Sequence, residues 1–178
     1  MSEKKRWPLI TAQALADELC SALSPACERI AIAGSVRRQR PDPADIELLC
    51  VPKTGDTVFG GEALDRLILD MMFAGVLDYR LNRRGSRQYG PENKFLVHVP
   101  SGIGVDVFSV PPEQWGMGLV IRTGPAEMNI KMMSRFLEMG YRGRVYGVRN
   151  RQGEELECPT EEGVFALLGW PWKEAWER

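Results

Sequence analysis

Asp45 and Glu47 stand two residues apart inside the apolar run DIELLCV. Read as a strand, that run sends both side chains to one face, because strand side chains alternate. Two carboxylates side by side repel each other and resist desolvation, so a cation is expected between them. An acid at the head of a strand is commonly an edge or turn residue, but a glutamate within an apolar strand is rarely buried without a partner. A third acid, Asp106, lies in a second apolar run, GVDVFSV. If the two strands are neighbours, three carboxylates meet on one face. Such an all-oxygen donor set suits a hard cation, Mg2+ or Mn2+, and two such ions can clamp the attacking and leaving oxygens of a phosphoryl transfer. Just upstream, Gly34 and Ser35 supply a turn whose amides and hydroxyl can face phosphate oxygens. Arg38 can neutralise a leaving pyrophosphate.

The elements that must carry these groups are written in the periodicity. TAQALADELCSAL places Ala12, Leu15, Ala16, Leu19, Ala22 and Leu23 on one helical face, with Thr11 suited to the N-cap and Pro25 to a stop. ERIAIAG predicts a strand ending at Gly34, and DIELLCV the next strand. GEALDRLILDMMF is an amphipathic helix with Leu64, Leu67, Ile68, Met71 and Met72 inward. VLDYRLN, a turn at RRGS, KFLVHV and GVDVFSV follow, strand-like in their β-branched and aromatic content. PPEQWGMGLVIRTG is ambiguous, with helix favoured over strand. PAEMNIKMMSRFLEMG predicts a helix opened by Pro125 and closed by Gly140. The tail predicts a hairpin and a short helix. This order predicts an α+β fold with a mixed β-sheet and flanking helices.

Composition bounds the alternatives. A chain of 178 residues, 44% apolar and 26% charged, has the make-up of an ordinary globular protein with a core of its own. No apolar run approaches about 18 residues, so no membrane span is expected. The opening MSEKKRWPLI has no signal-peptide apolar stretch, which predicts a cytoplasmic location. The cysteines Cys20, Cys27, Cys50 and Cys158 form no CxxC pair and His98 is the single histidine, so buried thiols are expected rather than a zinc site. The net charge of −1 looks wrong for a nucleic-acid binder, but its distribution does not. Most basic residues are arginines, and they cluster at Arg37, Arg38 and Arg40, at Arg80, Arg83, Arg84 and Arg87, and at Arg142, Arg144, Arg149 and Arg151. Arginine suits bidentate contact with phosphate. Met128, Met132, Met133 and Met139 are expected in a core, and Trp170, Trp172 and Trp176 in the packing of the tail.

The stretch GSVRRQRPDPADIELLCVP resembles the Gly-Ser-x-Arg-Arg…Asp-x-Asp signature of the family X DNA polymerases, the DNA polymerase beta relatives among the nucleotidyltransferases. VDVFSVPPEQWG resembles that family's third-aspartate strand, TGPAEMNIKMMSRFLEMGYR its Thr-Gly…Asn helix, and CPTEEGVFALLGWPWKEAWER its C-terminal thumb segment. The resemblance implies a nucleotidyltransferase palm over residues 1–120 and a small α/β thumb over 121–178. It implies metal-dependent addition of nucleotides from nucleoside triphosphates to a DNA 3′-hydroxyl, on gapped DNA or a primer/template, in gap filling, end extension or DNA repair. Carried over, Asp45, Glu47 and Asp106 match the carboxylates that bind two Mg2+ or Mn2+ ions, with Asp106 helping to activate the 3′-hydroxyl. Gly34, Ser35 and Arg38 match the triphosphate site. Thr123 and Gly124 match the turn beside the sugar, and Asn129 an asparagine that contacts the incoming nucleotide.

Departures from the pattern carry information. Glu47 stands where these polymerases usually have aspartate, although other nucleotidyltransferases use Asp-x-Glu. Ile121 and Arg122 replace a Tyr-Phe pair that shapes the sugar pocket. Ala126 replaces an aspartate near the base, and Gly104 an arginine just ahead of the third aspartate. No lyase or fingers domain is expected before Gly34. The resemblance therefore implies a minimal palm-plus-thumb monomer, similar to small viral members, with Arg83, Arg84 and Arg87 of RLNRRGSRQYG contacting DNA. Two other functions are compatible: transfer to RNA or a small-molecule acceptor, and a catalytically silent nucleic-acid-binding module. The retained trio of acids argues against the silent module.

Overall fold

Helix α1 (Leu9–Leu23) turns Ala12, Leu15, Ala16, Leu19 and Leu23 into a core, as its 3.6-residue stripe requires. It begins two residues before Thr11, with Pro8 as the N-cap. The backbone amides of Trp7 and Leu9 donate to the carbonyls of Pro43 and Pro41, which fixes the entry to the helix and leaves Thr11 inside the first turn. The computed structural model describes residues 5–53, 62–82, 84–143 and 146–178. They divide into two compact units, Met1–Ser109 and Val110–Arg178.

The first unit is a five-stranded mixed sheet with helices against it. Strands β1 (Cys27–Ile32), β2 (Asp45–Pro52), β3 (Leu77–Tyr79), β4 (Asn93–His98) and β5 (Gly104–Ser109) lie in the order β1-β2-β5-β4-β3. Only β2 and β5 are parallel neighbours; the other pairs are antiparallel. The short helix α2 (Gly34–Arg37) joins β1 to the loop before β2, and α3 (Glu62–Phe73) buries Leu64 and Ile68. Alternation along β2 sends Ile46, Leu48 and Cys50 into the core shared with α1 and α3, where Val105 and Val107 of β5 join them. Asp45, Glu47 and Asp106 therefore project from the opposite face. Each fully buried aliphatic side chain contributes roughly 1.5–3 kcal/mol. A one-residue slip would exchange the two faces, so the core itself fixes the register of the acids. The strand expected over residues 76–82 shortens to β3, since the chain turns back for Leu81 to bridge Arg87.

The second unit holds α4 (Trp115–Thr123), α5 (Ala126–Glu138), a hairpin of β6 (Arg142–Gly143) with β7 (Val148–Arg149), and α6 (Glu161–Leu168). The ambiguous segment before Gly124 is thus helical. Met117 and Val120 of α4 share a core with Met132, Phe136, Val148, Val164, Phe165 and Leu168. That packing draws α4 into the second unit, so the compact units part at 109/110, N-terminal to the division at 120/121 expected from sequence. Among the described residues no helix is long and apolar enough to cross a membrane. All four cysteines are free thiols.

Candidate active site

The register of the parallel pair sets Glu47 directly opposite Asp106, and Asp45 opposite Gly104. Three carboxylates thus share one face of two adjacent strands. Asp106 is buried, while Asp45 and Glu47 are half-buried. The cation that pairs with the third of them, Asp106, is Arg80, which follows β3. Its Nη2 lies 2.6 Å from Asp106 Oδ1, and its guanidinium stands 5.3 Å from the ring centre of Phe95. Phe95 is the β4 partner of Asp106, and its carbonyl accepts the Arg80 amide at 3.1 Å. Arg80 Nη1 lies over Gly104, where a methyl group would overlap it. The one sequence signal for this seat is Gly104, the residue that breaks the resembled pattern ahead of the third aspartate.

Glu47 takes a different direction. Its carboxylate packs onto Gly34, so closely that a methyl at that position would overlap Oε2. Gly34 also has φ +63°, a conformation that side chains other than glycine rarely adopt. The amide of Ala33 donates to the Glu47 carbonyl at 2.8 Å, tying the end of β1 to β2. Ser35 and Arg38 are half-buried beside this junction. Burial, and then the nearby Arg40, push the Arg38 guanidinium below its ordinary pKa, while Glu47 pulls it the other way. The Gly34–Arg38 turn and the Glu47 carboxylate are therefore one local unit.

Asp45, Glu47 and Asp106 fit a hard divalent ion in donor chemistry and in register. Their side chains do not converge on one point. Among the described residues no group of three or more His, Cys, Asp or Glu side chains stands close enough to hold an ion. The reason is visible in the two directions just given: Glu47 leans on Gly34, and Asp106 is drawn to Arg80.

Arg84 and Arg87 lie exposed on the bridged turn after β3, while Arg83 lies outside the described residues. Asn82 organises the turn: its Oδ1 accepts the amides of Arg84 and Ser86 at 2.8 and 3.0 Å. The Arg87 guanidinium stacks 4.3 Å from the ring centre of Tyr79, whose ring meets Tyr89 edge-on. Two exposed arginines so close together suit a phosphate backbone. Replacing both with alanine is expected to lower the log–log salt dependence of duplex-DNA binding by roughly 0.9 per lost contact. Fluorescence anisotropy between low and moderate salt measures the slope, and an unchanged slope would return this turn to ordinary solvated surface.

In the second unit, Thr123 is buried at the end of α4, and Gly124 follows with φ +69°. Asn129 Nδ2 donates to the Ile121 carbonyl at 2.7 Å, which locks the start of α5 to the end of α4. Arg122 is held in place: Nη2 donates to the Tyr146 hydroxyl at 2.7 Å, with the guanidinium 5.1 Å from that ring's centre. No local sequence signal marks Tyr146 as its partner, because it arrives from the β6–β7 hairpin, far along the chain. His98, on β4, pairs through Nδ1 with Ser101 Oγ at 2.8 Å, as a strand residue would.

Residues 118–178 match the family model of the DNA polymerase beta thumb. No curated protein matches the chain. The thumb match covers α5, the β6–β7 hairpin, α6 and most of α4.

Proposed function

We propose that this protein is a metal-dependent DNA nucleotidyltransferase of the family X type, which adds nucleotides from nucleoside triphosphates to a DNA 3′-hydroxyl. The observation that carries the proposal is the β2–β5 register, which sets Glu47 opposite Asp106 with Asp45 on the same face. The thumb match over residues 118–178 supplies the polymerase context. Asp45, Glu47 and Asp106 would hold two Mg2+ or Mn2+ ions, which when bound neutralise charge on the attacking and leaving oxygens. Asp106 orients the 3′-hydroxyl and draws off its proton as the oxygen attacks the α-phosphorus. The bond from the α-phosphorus to the bridging oxygen breaks, and pyrophosphate leaves. Arg38, with Gly34 and Ser35, balances the charge of the triphosphate. Thr123, Gly124 and Asn129 are assigned to the incoming nucleotide, and Arg84 and Arg87, with Arg83, to the DNA backbone. A protein of this kind works inside the cell, as a monomer on gapped or primed DNA.

The test is extension of a labelled primer on single-stranded, primer/template and gapped DNA, with deoxy- or ribonucleotides and Mg2+ or Mn2+. Extension by single nucleotides on a DNA 3′ end is expected. Failure on every DNA with either ion, alongside transfer to an RNA or small-molecule acceptor, would replace the DNA assignment.

The sugar pocket gives a second measurable consequence. Ile121 and Arg122 stand where the resembled polymerases carry an aromatic pair, and a pocket that merely tolerates an added hydroxyl separates two substrates by only about 10²-fold. The ratio of kcat/KM for matched deoxy- and ribonucleotides on one gapped substrate is therefore expected to stay within that range. Ile121→Tyr with Arg122→Phe should raise it. A ratio of several orders of magnitude in the unaltered enzyme would assign the sugar gate to another residue.

A further inference from the structure

We propose that Arg80 is the resident counter-cation of the acid face: it holds Asp106 through its guanidinium in the seat left open by Gly104, and an incoming divalent ion must displace it. The inference rests on the metal-dependent function proposed above. Four observations converge on it. Arg80 Nη2 and Asp106 Oδ1 are 2.6 Å apart, with the Asp106 side chain 11% exposed and that of Arg80 34% exposed. The guanidinium packs toward Phe95, the strand partner of Asp106, so it lies on the acid-bearing face. Its other terminal nitrogen covers Gly104, the strand partner of Asp45. A methyl placed on Gly104 would meet Asp45 Cβ at 3.6 Å as well as overlapping Arg80 Nη1, so the guanidinium and Asp45 flank the same backbone atom.

The physical consequence is competition for one carboxylate. A buried anion beside two others is costly unless a cation balances it. Arg80 supplies that balance without a metal, and its partly exposed side chain has room to swing into water when a stronger cation arrives. Arginine cannot be neutralised by deprotonation, so the exchange must be of one cation for another. Arg80 thus acts as a positioning residue for Asp106 and sets how tightly the acid face takes up its ion.

Two substitutions disturb this seat by different means. Arg80→Met removes the charge and keeps much of the stem. Gly104→Ala keeps the charge but pushes the guanidinium off its seat, an inexpensive shift because the overlapping atom ends a flexible side chain. Both variants are expected to bind Mn2+ roughly tenfold more tightly than the unaltered protein, since a charge a few Å away has been removed or moved. Electron paramagnetic resonance of free Mn2+, without nucleotide or DNA, gives the affinity. Mn2+ should also raise the melting temperature of Arg80→Met by more than it raises that of the unaltered protein. Arg66→Met, which removes an exposed arginine on α3, is the control for net charge and should leave Mn2+ affinity unchanged. Affinity unchanged or weakened in both Arg80→Met and Gly104→Ala overturns the proposal, while Mn2+ binding and primer extension by the unaltered protein would leave the proposed function standing. Equal gains in all three variants would also overturn it, as a mere effect of net charge. No Mn2+ uptake by any form would remove both the counter-cation role and the metal-dependent function.

Discussion

Asp106→Ala is expected to lower the rate of nucleotide transfer by about 10³-fold or more while the protein stays folded, because under the function proposed above it would remove a ligand of a two-ion site and with it several kcal/mol of transition-state stabilisation. Asp106 links the parts of the acid face. It is the strand partner of both Glu47 and Phe95, it is buried, and it holds Arg80. The fold should survive, since the Asp106 side chain points away from the core formed by Val105 and Val107. The Arg80 side chain it leaves behind is partly exposed and can be rehydrated. Asp45→Ala should act in the same direction. Single-turnover primer extension gives the rate and a thermal melt by circular dichroism reports the fold. Near-normal turnover by a folded Asp106→Ala protein would exclude this carboxylate from the chemistry.

The second large effect is on stability, and it lies in the other unit. Arg178→Met is expected to destabilise that unit by about 3–5 kcal/mol, the usual result of leaving a buried charge without its partner. Arg178 Nη1 donates to Glu161 Oε1 at 2.8 Å, and both side chains are almost wholly buried. The guanidinium lies about 5 Å from the ring centres of both Phe165 and Trp172, and Nε donates to the Lys173 carbonyl at 3.1 Å. One arginine therefore binds the final segment to the start of α6. Urea unfolding followed by tryptophan fluorescence measures the loss. The double variant Arg178→Met with Glu161→Leu should recover much of it, because an apolar pair leaves no charge uncompensated. A loss under about 1 kcal/mol for Arg178→Met alone would show that the pair behaves like a surface ion pair.

Several elements were legible because the signals that specify them are local. The stripe from Ala12 to Leu23 is a helix wherever it packs, and Pro125 and Gly140 mark the ends of α5 by their own backbone preferences. Asp45 and Glu47 share a face because alternation is a property of a single strand. The methionines divide less cleanly than expected: Met132 is fully buried, whereas Met139 at the end of α5 is 38% exposed. The tail tryptophans divide likewise. Trp170 and Trp172 meet Phe165 edge-on, whereas Trp176 is more than half exposed.

By itself, then, the sequence determined the periodic elements, the pairing of two acids on one face, and the α+β class. Only the tertiary structure decided that β2 and β5 lie side by side, so that Asp106 meets Glu47 across nearly sixty residues of chain. It alone decided that Arg80, from the end of β3, occupies the space over Gly104, that Tyr146 holds Arg122, and that Arg178 closes on Glu161. The physical reason is the range of the forces. Helix and strand preferences act over a few residues, whereas an ion pair or a strand register depends on which distant segments the burial of the whole core brings together.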